Sequence, residues 1–293
     1  MLDLLNPHLT SIIVIIHHLQ AELMKLFSEL NRPFSVRNTL LQAWRMRRVW
    51  WFTATARTKA RFARTFLGSF WLGLSNLFSI GVLALVYGTV FKVQDFNTYV
   101  VYLGIGLVAW NTIAAAVGSA PSLFEHNQAH VHNTSLNPIF YTLEEWAFQV
   151  QTFVQSFFMV LLALSYFQHN LFLNFFLYGW FPVLNLFLFI YWFPMILCLF
   201  GARYRDLYQL VPIILQLVFL LSPILYEKKN LGGMGWTANI NPLYRVLSPV
   251  RHTLMAGEVQ WLPWFGLLGI NLIGILLSVK LLNKERPYLP FLV

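Results

Sequence analysis

The side chains best suited to chemistry lie close together in one polar stretch of the sequence. His126, His130 and His132 have the spacing i, i+4 and i+6, so the first two would share one helix face, and Glu144 and Glu145 follow. Imidazole and carboxylate groups bind metal ions and act as general acids and bases. No third ligand of a metal site is evident, so we expect neither a metal site nor a catalytic residue here. A solvated loop or a helix that faces a partner is the better interpretation.

The sequence gives no convincing signal for nucleotide binding. The stretch GIGLVA at residues 104–109 matches the dinucleotide-binding pattern, but it lies within an apolar run that no strand precedes. Close packing between helices explains its glycines better. The P-loop pattern G-x-x-x-x-G-K-[ST] does not occur in the sequence. We therefore expect the chain to bind no cofactor; if it transports actively, ATP and Mg²⁺ belong to a separate partner.

The composition identifies the elements that must position these residues. The chain is 58% hydrophobic and 11% charged, whereas soluble domains have about 25% charged residues. Six apolar runs have the length of about 20 residues that crosses a bilayer, and Lys280, near the end of the sixth, is the one charged residue in them. The predicted spans are 66–91, 98–120, 146–167, 171–200, 207–226 and 261–283.

The spans should be helices, because in lipid the backbone polar groups must bond within the segment. The predicted fold class is therefore an all-α integral membrane protein with six transmembrane helices. Apart from Lys280 near the end of the sixth, their polar side chains are neutral, for example Asn76, Asn111 and Asn271. Ion-coupled transporters usually place ionisable groups at mid-membrane, so ion-coupled transport is not expected.

The basic residues predict the orientation. Nine of them lie within residues 32–64, before the first span, while Arg203 and Arg205 precede the fifth span and Lys284 and Arg286 follow the sixth. The positive-inside rule makes this side cytoplasmic, so both termini are predicted to lie in the cytoplasm. The net charge of +9 is thus concentrated beside the membrane, which favours an anionic lipid surface and not nucleic acid as its partner.

The chain divides into four predicted segments. Residues 1–35 form an N-terminal extension, 36–65 an amphipathic helix in the cytoplasmic interface, 66–283 the six-helix transmembrane domain, and 284–293 a cytoplasmic tail. The interface helix is predicted because apolar residues fall on one broad side, with Trp and Arg at its boundary. Those apolar residues are Leu40, Leu41, Trp44, Trp51 and Phe52.

Three stretches carry a resemblance to a known family. RTKARFARTFLGSFWLGLSNLF (57–78) has a basic segment followed by T-x-L-G-x-x-W and an apolar helix. GARYRDLYQLVPIILQLVFLLSPILY (201–226) has Y-R-D before an apolar run that ends S-P-I-L-Y, and NPLYRVLSPVRHTLMAG (241–257) begins with N-P-L. In this order, across residues 57–283, they resemble the permease subunits of polysaccharide-exporting ABC transporters, within the ABC type-2 permease family.

The resemblance implies a function. Such permeases form homodimers, bind two copies of a cytoplasmic nucleotide-binding ATPase, and export a polysaccharide linked to polyprenyl pyrophosphate. O-antigen export, a step of lipopolysaccharide biosynthesis, is the first expectation, ahead of capsule or teichoic acid.

The resemblance also implies that the loop after the second span docks on the ATPase, at residues 124–136. In the family this loop usually carries a Lys-rich stretch, whereas residues 123–146 here contain neither Lys nor Arg. The predicted docking residues are Phe124, Glu125, His126, Asn127, His130, His132, Arg203, Arg205 and Asp206.

The external segment 227–260 is predicted to be more than a plain loop. Its apolar residues have helical spacing interrupted by Pro249, which suggests a pair of short re-entrant helices that narrow the exit. Arg245 and Arg251 could meet an anionic head group of the substrate, or equally extend to lipid phosphates. The predicted path or gate residues are Trp71, Tyr87, Tyr226, Tyr244, Arg245 and Arg251.

Two alternative functions remain open at this point. An ABC type-2 exporter of a small molecule or drug would share the six spans and lack a P-loop, but it would less often combine Y-R-D with T-x-L-G. A channel or a membrane-embedded enzyme would need no ATPase partner.

Overall fold

The computed structural model describes residues 35–133 and 136–292, and all regular secondary structure within these ranges is helical. The predicted all-α membrane fold is confirmed. The predicted extension 1–35 lies, apart from Ser35, outside the described residues. The α-helices are α1 Val36–Arg45, α2 Arg47–Arg61, α3 Phe70–Val90, α4 Phe96–Ser119, α5 Leu123–His126, α6 Gln128–Asn133, α7 Ile139–Leu164, α8 Asn170–Arg203, α9 Leu207–Leu221, α10 Gly235–Ile240, α11 Pro242–Ala256, α12 Trp261–Glu285 and α13 Leu289–Leu292. A 3₁₀ helix, Lys228–Met234, lies between α9 and α10.

Five of the described helices are long and apolar enough to cross a membrane: α3, α4, α7, α8 and α12. They correspond to the predicted first, second, third, fourth and sixth spans. The main difference in their bounds is that α7 begins at Ile139, not at 146, and therefore includes Glu144 and Glu145.

The fifth predicted span forms a shorter helix than expected. Helix α9 has 15 residues and ends at Leu221, not at 226. Ser222 has extended backbone angles, φ −88° and ψ 138°, which the following Pro223 favours because the proline ring clashes with a helical neighbour. The apolar run therefore continues past the helix as a turn.

The helices run back and forth between two ends of the molecule. The near end carries α1, α2, the loop 120–138, the turn 203–206 and residues 286–292, and the far end carries residues 91–95, 165–169 and 222–260. Most of α4 is buried among the other helices, whereas little of α3 or α12 is. Helix α4 is thus the central element of the fold.

The glycines of GIGLVA lie in α4 and admit neighbouring side chains. A Cβ on Gly104 would lie 2.7 Å from a methyl carbon of Leu164, and one on Gly106 would overlap the guanidinium of Arg251. The interpretation as packing glycines is confirmed in this sense.

At the start of α4, Asp95 accepts hydrogen bonds from the Thr98 hydroxyl (2.6 Å) and the Thr98 N–H (3.1 Å), which lower the pKa of its carboxyl.

The far end contains the predicted pair of short helices, but they meet at a different residue. Asn241 separates α10 from α11, and its side chain accepts from the N–H groups of Leu243 and Tyr244. Pro249 lies inside α11 without ending it, and Gly257 closes the helix in the left-handed conformation. The predicted apolar face of α11 is buried at Leu243, Val246, Leu247, Val250 and Leu254.

The segment predicted as one interface helix forms two. Met46, with φ −86° and ψ 9°, separates α1 from α2. Trp44, Trp51 and Phe52 are exposed, as suits side chains that would face a membrane interface. Trp50 instead points inward, where its ring meets Trp146 edge to face at 5.9 Å.

Candidate functional site

The loop between α4 and α7 is anchored by buried apolar side chains. Phe124 is fully buried in a cluster at the near end, together with Leu123, Ile139 and Met195. We call this the near-end cluster; it contains Ala43, Leu123, Phe124, Ile139, Phe140, Tyr141, Tyr191, Met195, Cys198, Leu199, Ala202, Val279, Leu282 and Leu289. Phe124, predicted as a docking residue, therefore holds the loop in place and offers no surface of its own.

The loop also makes backbone contact with the end of α8. A Cβ on Gly201 would collide with the carbonyl oxygen of Pro121, so only glycine allows this approach. The loop is therefore fixed at its start by the chain segment that leads into the turn 203–206.

The exposed side of the loop brings two groups of predicted docking residues together. Arg205 Nη2 lies 3.8 Å from Glu125 Oε1, with side chains 75% and 40% exposed. His126 and Asn127 bond locally, to the carbonyls of Ser122 and Leu123, at 2.8 Å each. This surface joins the loop after α4 to the turn after α8.

The remaining predicted docking residues lie around this surface. Arg203 and Asp206 are exposed on the turn, and His132 is exposed on α6; the side chain of His130 lies outside the described set. Within residues 35–133 and 136–292, no group of three or more His, Cys, Asp or Glu side chains is arranged to hold a metal ion.

Glu145 is the centre of a polar network that the sequence did not reveal. It is 7% exposed, and its carboxylate accepts from Arg57 Nη1 at 2.6 Å, Gln149 Nε2 at 2.8 Å and Ser119 Oγ at 3.1 Å. Arg57 also lies 4.2 Å from the ring of Phe148. The network connects α2 with the end of α4 and the start of α7, the two helices that flank the loop. A basic interface helix with a carboxylate at the border of an apolar run is the signal that could have suggested it.

A polar cavity of about 310 Å³ lies between α2, the turn before α3 and α7. Gly68, in the left-handed conformation with φ 56°, forms part of its wall. Gln151 on the α7 side donates to Thr55 Oγ1 at 3.0 Å. The cavity is lined by Thr55, Thr58, Lys59, Phe62, Gly68, Ser69, Gln151 and Gln155. The Lys59 cation, with the Ser69 hydroxyl and the Gln155 amide, could together hold an anionic group.

The predicted path residues lie in separate places. Tyr87 and Tyr226 are joined through Phe91 at the far end, with ring distances of 5.6 and 6.3 Å. Trp71 is half-exposed near the opposite end of α3. The path prediction thus includes one group at the far end and one separate residue at the near end.

The three path residues on α11 differ in burial. Tyr244 is partly buried, and Arg245 is exposed and donates from Nε to the carbonyl of Asn239 at 2.6 Å. Arg251 is 4% exposed; its guanidinium lies 3.6 Å from the ring centre of Tyr102, and its Nη1 donates to the Pro223 carbonyl at 2.9 Å. In this conformation Arg251 reaches neither a lipid phosphate nor an open path. It joins α11 to α4 and to the turn after α9.

Comparison with known proteins gives one family and no individual relative. Residues 51–255 match the ABC-2 type transporter family, and no curated protein matches the chain. The matched residues make up more than half of the chain and include α2 from Trp51, the loop with α5 and α6, and α11 nearly to its end. The chain therefore belongs to the ABC-2 type transporter family, whose members are membrane permease subunits of ABC exporters that work with a separate nucleotide-binding ATPase.

Proposed function

We propose that this permease exports a polysaccharide linked to polyprenyl pyrophosphate from the cytoplasm to the periplasm or cell exterior, with O-antigen as the first candidate. The observation that carries the proposal is the polar cavity beside Lys59. It is bounded by Gly68 and Ser69, which belong to the T-x-L-G-x-x-W stretch of the sequence resemblance. A substrate with a lipid tail and an anionic head group fits a polar cavity between an interface helix and the first span.

The chemistry of the cavity suits a pyrophosphate group. Lys59 supplies a positive charge, and the hydroxyl of Ser69 and the amide of Gln155 supply neutral donors. Hydrogen bonds to charged oxygens are stronger than those between neutral groups. The polyprenyl chain would stay in the bilayer beside the exposed aromatic side of α1 and α2.

The proposal places the near end in the cytoplasm of a bacterial inner-membrane protein. The ATPase, which carries ATP and Mg²⁺, would contact the exposed residues of α5 and α6 together with the turn 203–206. The buried Phe124 and the backbone contact at Gly201 support this, because a docking element must be held rigidly if it is to transmit force. At the far end, Tyr87, Tyr226, Tyr244, Arg245 and Arg251 remain proposed gate residues.

A homodimer around a shared path is also part of the proposal. Asn111 is exposed on α4 and donates to Asn76 on α3 at 2.8 Å, and Gln209 and Gln216 are exposed on α9. Exposed amides within apolar helices are unfavourable against lipid and are usually bonded across helix interfaces or face water. A second copy, or a polar path between two copies, would cover this face.

The function can be tested by reconstitution. The permease and the P-loop ATPase encoded beside it would be purified together, placed in lipid nanodiscs, and assayed for ATP hydrolysis with added polyprenyl-pyrophosphate glycan. We expect stimulation by the lipid-linked glycan. Lys59→Met should raise the concentration for half-maximal stimulation about tenfold, because it removes a charged hydrogen-bond donor.

The matched control is Arg48→Met, which removes an exposed charge from the same helix outside the cavity. It should leave the stimulation unchanged. Stimulation by small amphipathic molecules with none by the glycan would contradict the proposal and favour the small-molecule exporter.

A further inference from the structure

We propose that residues 286–292, which follow the last span, position the docking helices α5 and α6 and so control how the permease engages its ATPase. The inference rests on the proposed docking function of the loop. It concerns a segment that lies beyond both the family match, which ends at residue 255, and the sequence resemblance, which ends at 283.

The segment packs directly on the docking loop. Leu289 is 1% exposed and belongs to the near-end cluster, which also holds Phe124 at the docking helix α5 and Ile139 at the start of α7. Helix α13 also contacts α6 and the end of α8. One side chain from the tail is therefore buried among the residues that anchor the loop.

The contact extends beyond this one side chain. A cavity of about 170 Å³ is bounded on one side by Val131, Leu136, Pro138 and Tyr141 and on the other by Arg286, Leu289 and Pro290. The tail therefore faces the loop from α6 to the first turn of α7. Space between the two leaves room for the loop to shift when the tail moves.

The tail itself starts from a fixed base. Thr39 Oγ1 on α1 donates to Asn283 Oδ1 at 2.8 Å near the end of α12, and Asn137 Nδ2 donates to Gln42 Oε1 on the same helix at 2.9 Å. Helix α1 thus holds the start of the tail and the end of the docking loop in one arrangement. Pro287 then follows Arg286, whose N–H still bonds to the Leu282 carbonyl at 2.8 Å, and limits the directions the chain can take.

The docking helices need such external support. Helices α5 and α6 have four and six residues, and helices this short are not stable by themselves in water. Their position must come from the packing of the loop on its surroundings. Leu289 supplies part of that packing from a segment that would not otherwise touch the ATPase.

The exposed residues of the same segment provide a matched control. Phe291, on the same short helix as Leu289, is 88% exposed. A charge at Phe291 changes the surface without disturbing the buried contact, whereas a charge at Leu289 disturbs the contact itself. The two substitutions therefore separate a positioning role from a direct binding surface.

The test measures ATPase binding by the full-length permease in nanodiscs, with Leu289→Asp, Leu289→Ala, Leu289→Met and Phe291→Asp. If Leu289→Asp reduces the docking-ready arrangement to a tenth of the molecules, the apparent Kd rises about tenfold. We expect that rise and loss of coupled ATP hydrolysis, a smaller rise for Leu289→Ala, and wild-type values for Leu289→Met and Phe291→Asp. Leu289→Ala should lower the melting temperature of the permease alone, because it removes buried packing, and should leave its elution volume unchanged. Binding measured well below that melting temperature would therefore report on docking and not on folding.

Two results would overturn the inference. Wild-type affinity in both Leu289→Asp and Leu289→Ala would show that the tail does not position the loop. Equal weakening by Phe291→Asp and Leu289→Asp would make the tail a direct binding surface. Failure of the wild-type permease to bind the ATPase at all would instead contradict the proposed function, so the two failures are distinguishable.

Discussion

The two ends of the molecule are joined by different kinds of hydrogen bond. At the near end, distant elements are linked largely by pairs of side chains. These pairs are Arg57 with Glu145, Thr39 with Asn283, and Asn137 with Gln42. At the far end, side chains mostly donate to backbone carbonyls. These bonds run from Tyr99 to Leu225, Arg251 to Pro223, Gln168 to Met255 and Asn174 to Leu254.

The difference indicates how each end depends on sequence. A side-chain pair needs both partners, so the loss of one leaves the other unpaired, and buried unpaired groups are costly. A bond to a backbone carbonyl needs only the position of the turn, whichever residue forms it. The near end should therefore be more sensitive to single substitutions. Because the proposed docking surface lies there, such substitutions should reduce ATPase docking. Substitutions at the far end, where the proposed gate lies, should reduce export while docking persists.

The largest effect should come from Gly201→Ala at the near end. Its Cβ would meet the backbone oxygen of Pro121, which cannot turn aside as a side chain can. We expect a loss of about 3 kcal/mol in stability, with ATPase docking abolished, measured by thermal unfolding in detergent and by co-purification.

Gly106→Ala in α4 is the matched substitution on the far-end side. Its Cβ would meet only the guanidinium of Arg251, which can move, so we expect a loss of about 1 kcal/mol with docking retained. Equal losses of stability from Gly201→Ala and Gly106→Ala would contradict the proposed difference between the two ends.

A double-mutant cycle on Arg57→Met and Glu145→Gln should give the next largest effect. Glu145 is buried, but the Arg57 side chain is 45% exposed, and solvent weakens the pair. A coupling energy of about 1–2 kcal/mol is expected from unfolding experiments. The same cycle with Glu144→Gln, whose carboxylate is 4.0 Å from Arg57, should give less. A larger coupling energy for Glu144 would show that Glu144, and not Glu145, is the main partner of Arg57.

Arg251→Met should separate stability from transport at the far end. Methionine fills much of the same space without a buried charge, and replacing buried ionic groups by apolar ones often changes stability little. We expect less than about 1 kcal/mol of change and unchanged ATPase binding, but several-fold slower export into sealed vesicles. Export at the wild-type rate would remove Arg251 from the proposed gate.

The smallest effect is expected at the exposed pair of Glu125 and Arg205. Their 3.8 Å separation and exposed side chains make this a surface ion pair, worth less than about 0.5 kcal/mol. Glu125→Gln should leave the unfolding temperature of the permease alone unchanged at moderate salt. A clear loss of stability that disappears at high salt would show that the pair contributes more than its exposure implies.

Much of the fold followed from local sequence. Five of the six spans could be predicted because a run of about 20 apolar residues has few alternatives in a membrane protein. The predicted fifth span ran to 226, although Pro223 after Ser222 is a signal for the earlier helix end that the structure shows. The buried face of α11 followed from helical spacing alone.

The sites were less predictable, because they depend on contacts between distant residues. The predicted third span begins after Glu145 because a charged residue is unfavourable in an apolar span. The sequence does not show that Arg57, 88 residues away, pairs with this carboxylate. The burial of Arg251 depends on Tyr102 and on the small size of Gly106, both on α4. Phe124 looked like a surface residue because its loop is polar, yet the cluster that buries it draws on five other described helices: α1, α7, α8, α12 and α13.

The short length of α9 affects the lipid around it. Fifteen residues at 1.5 Å each reach about 22 Å, whereas the hydrocarbon core of a bilayer is about 30 Å thick. The bilayer beside α9 must thin, or protein must fill the difference, and mismatch costs a fraction of a kcal/mol per Å. Where lipid and not protein covers α9, the bilayer would therefore be thinner than elsewhere, and acyl-chain length becomes a variable that acts on the permease without touching any of its polar sites.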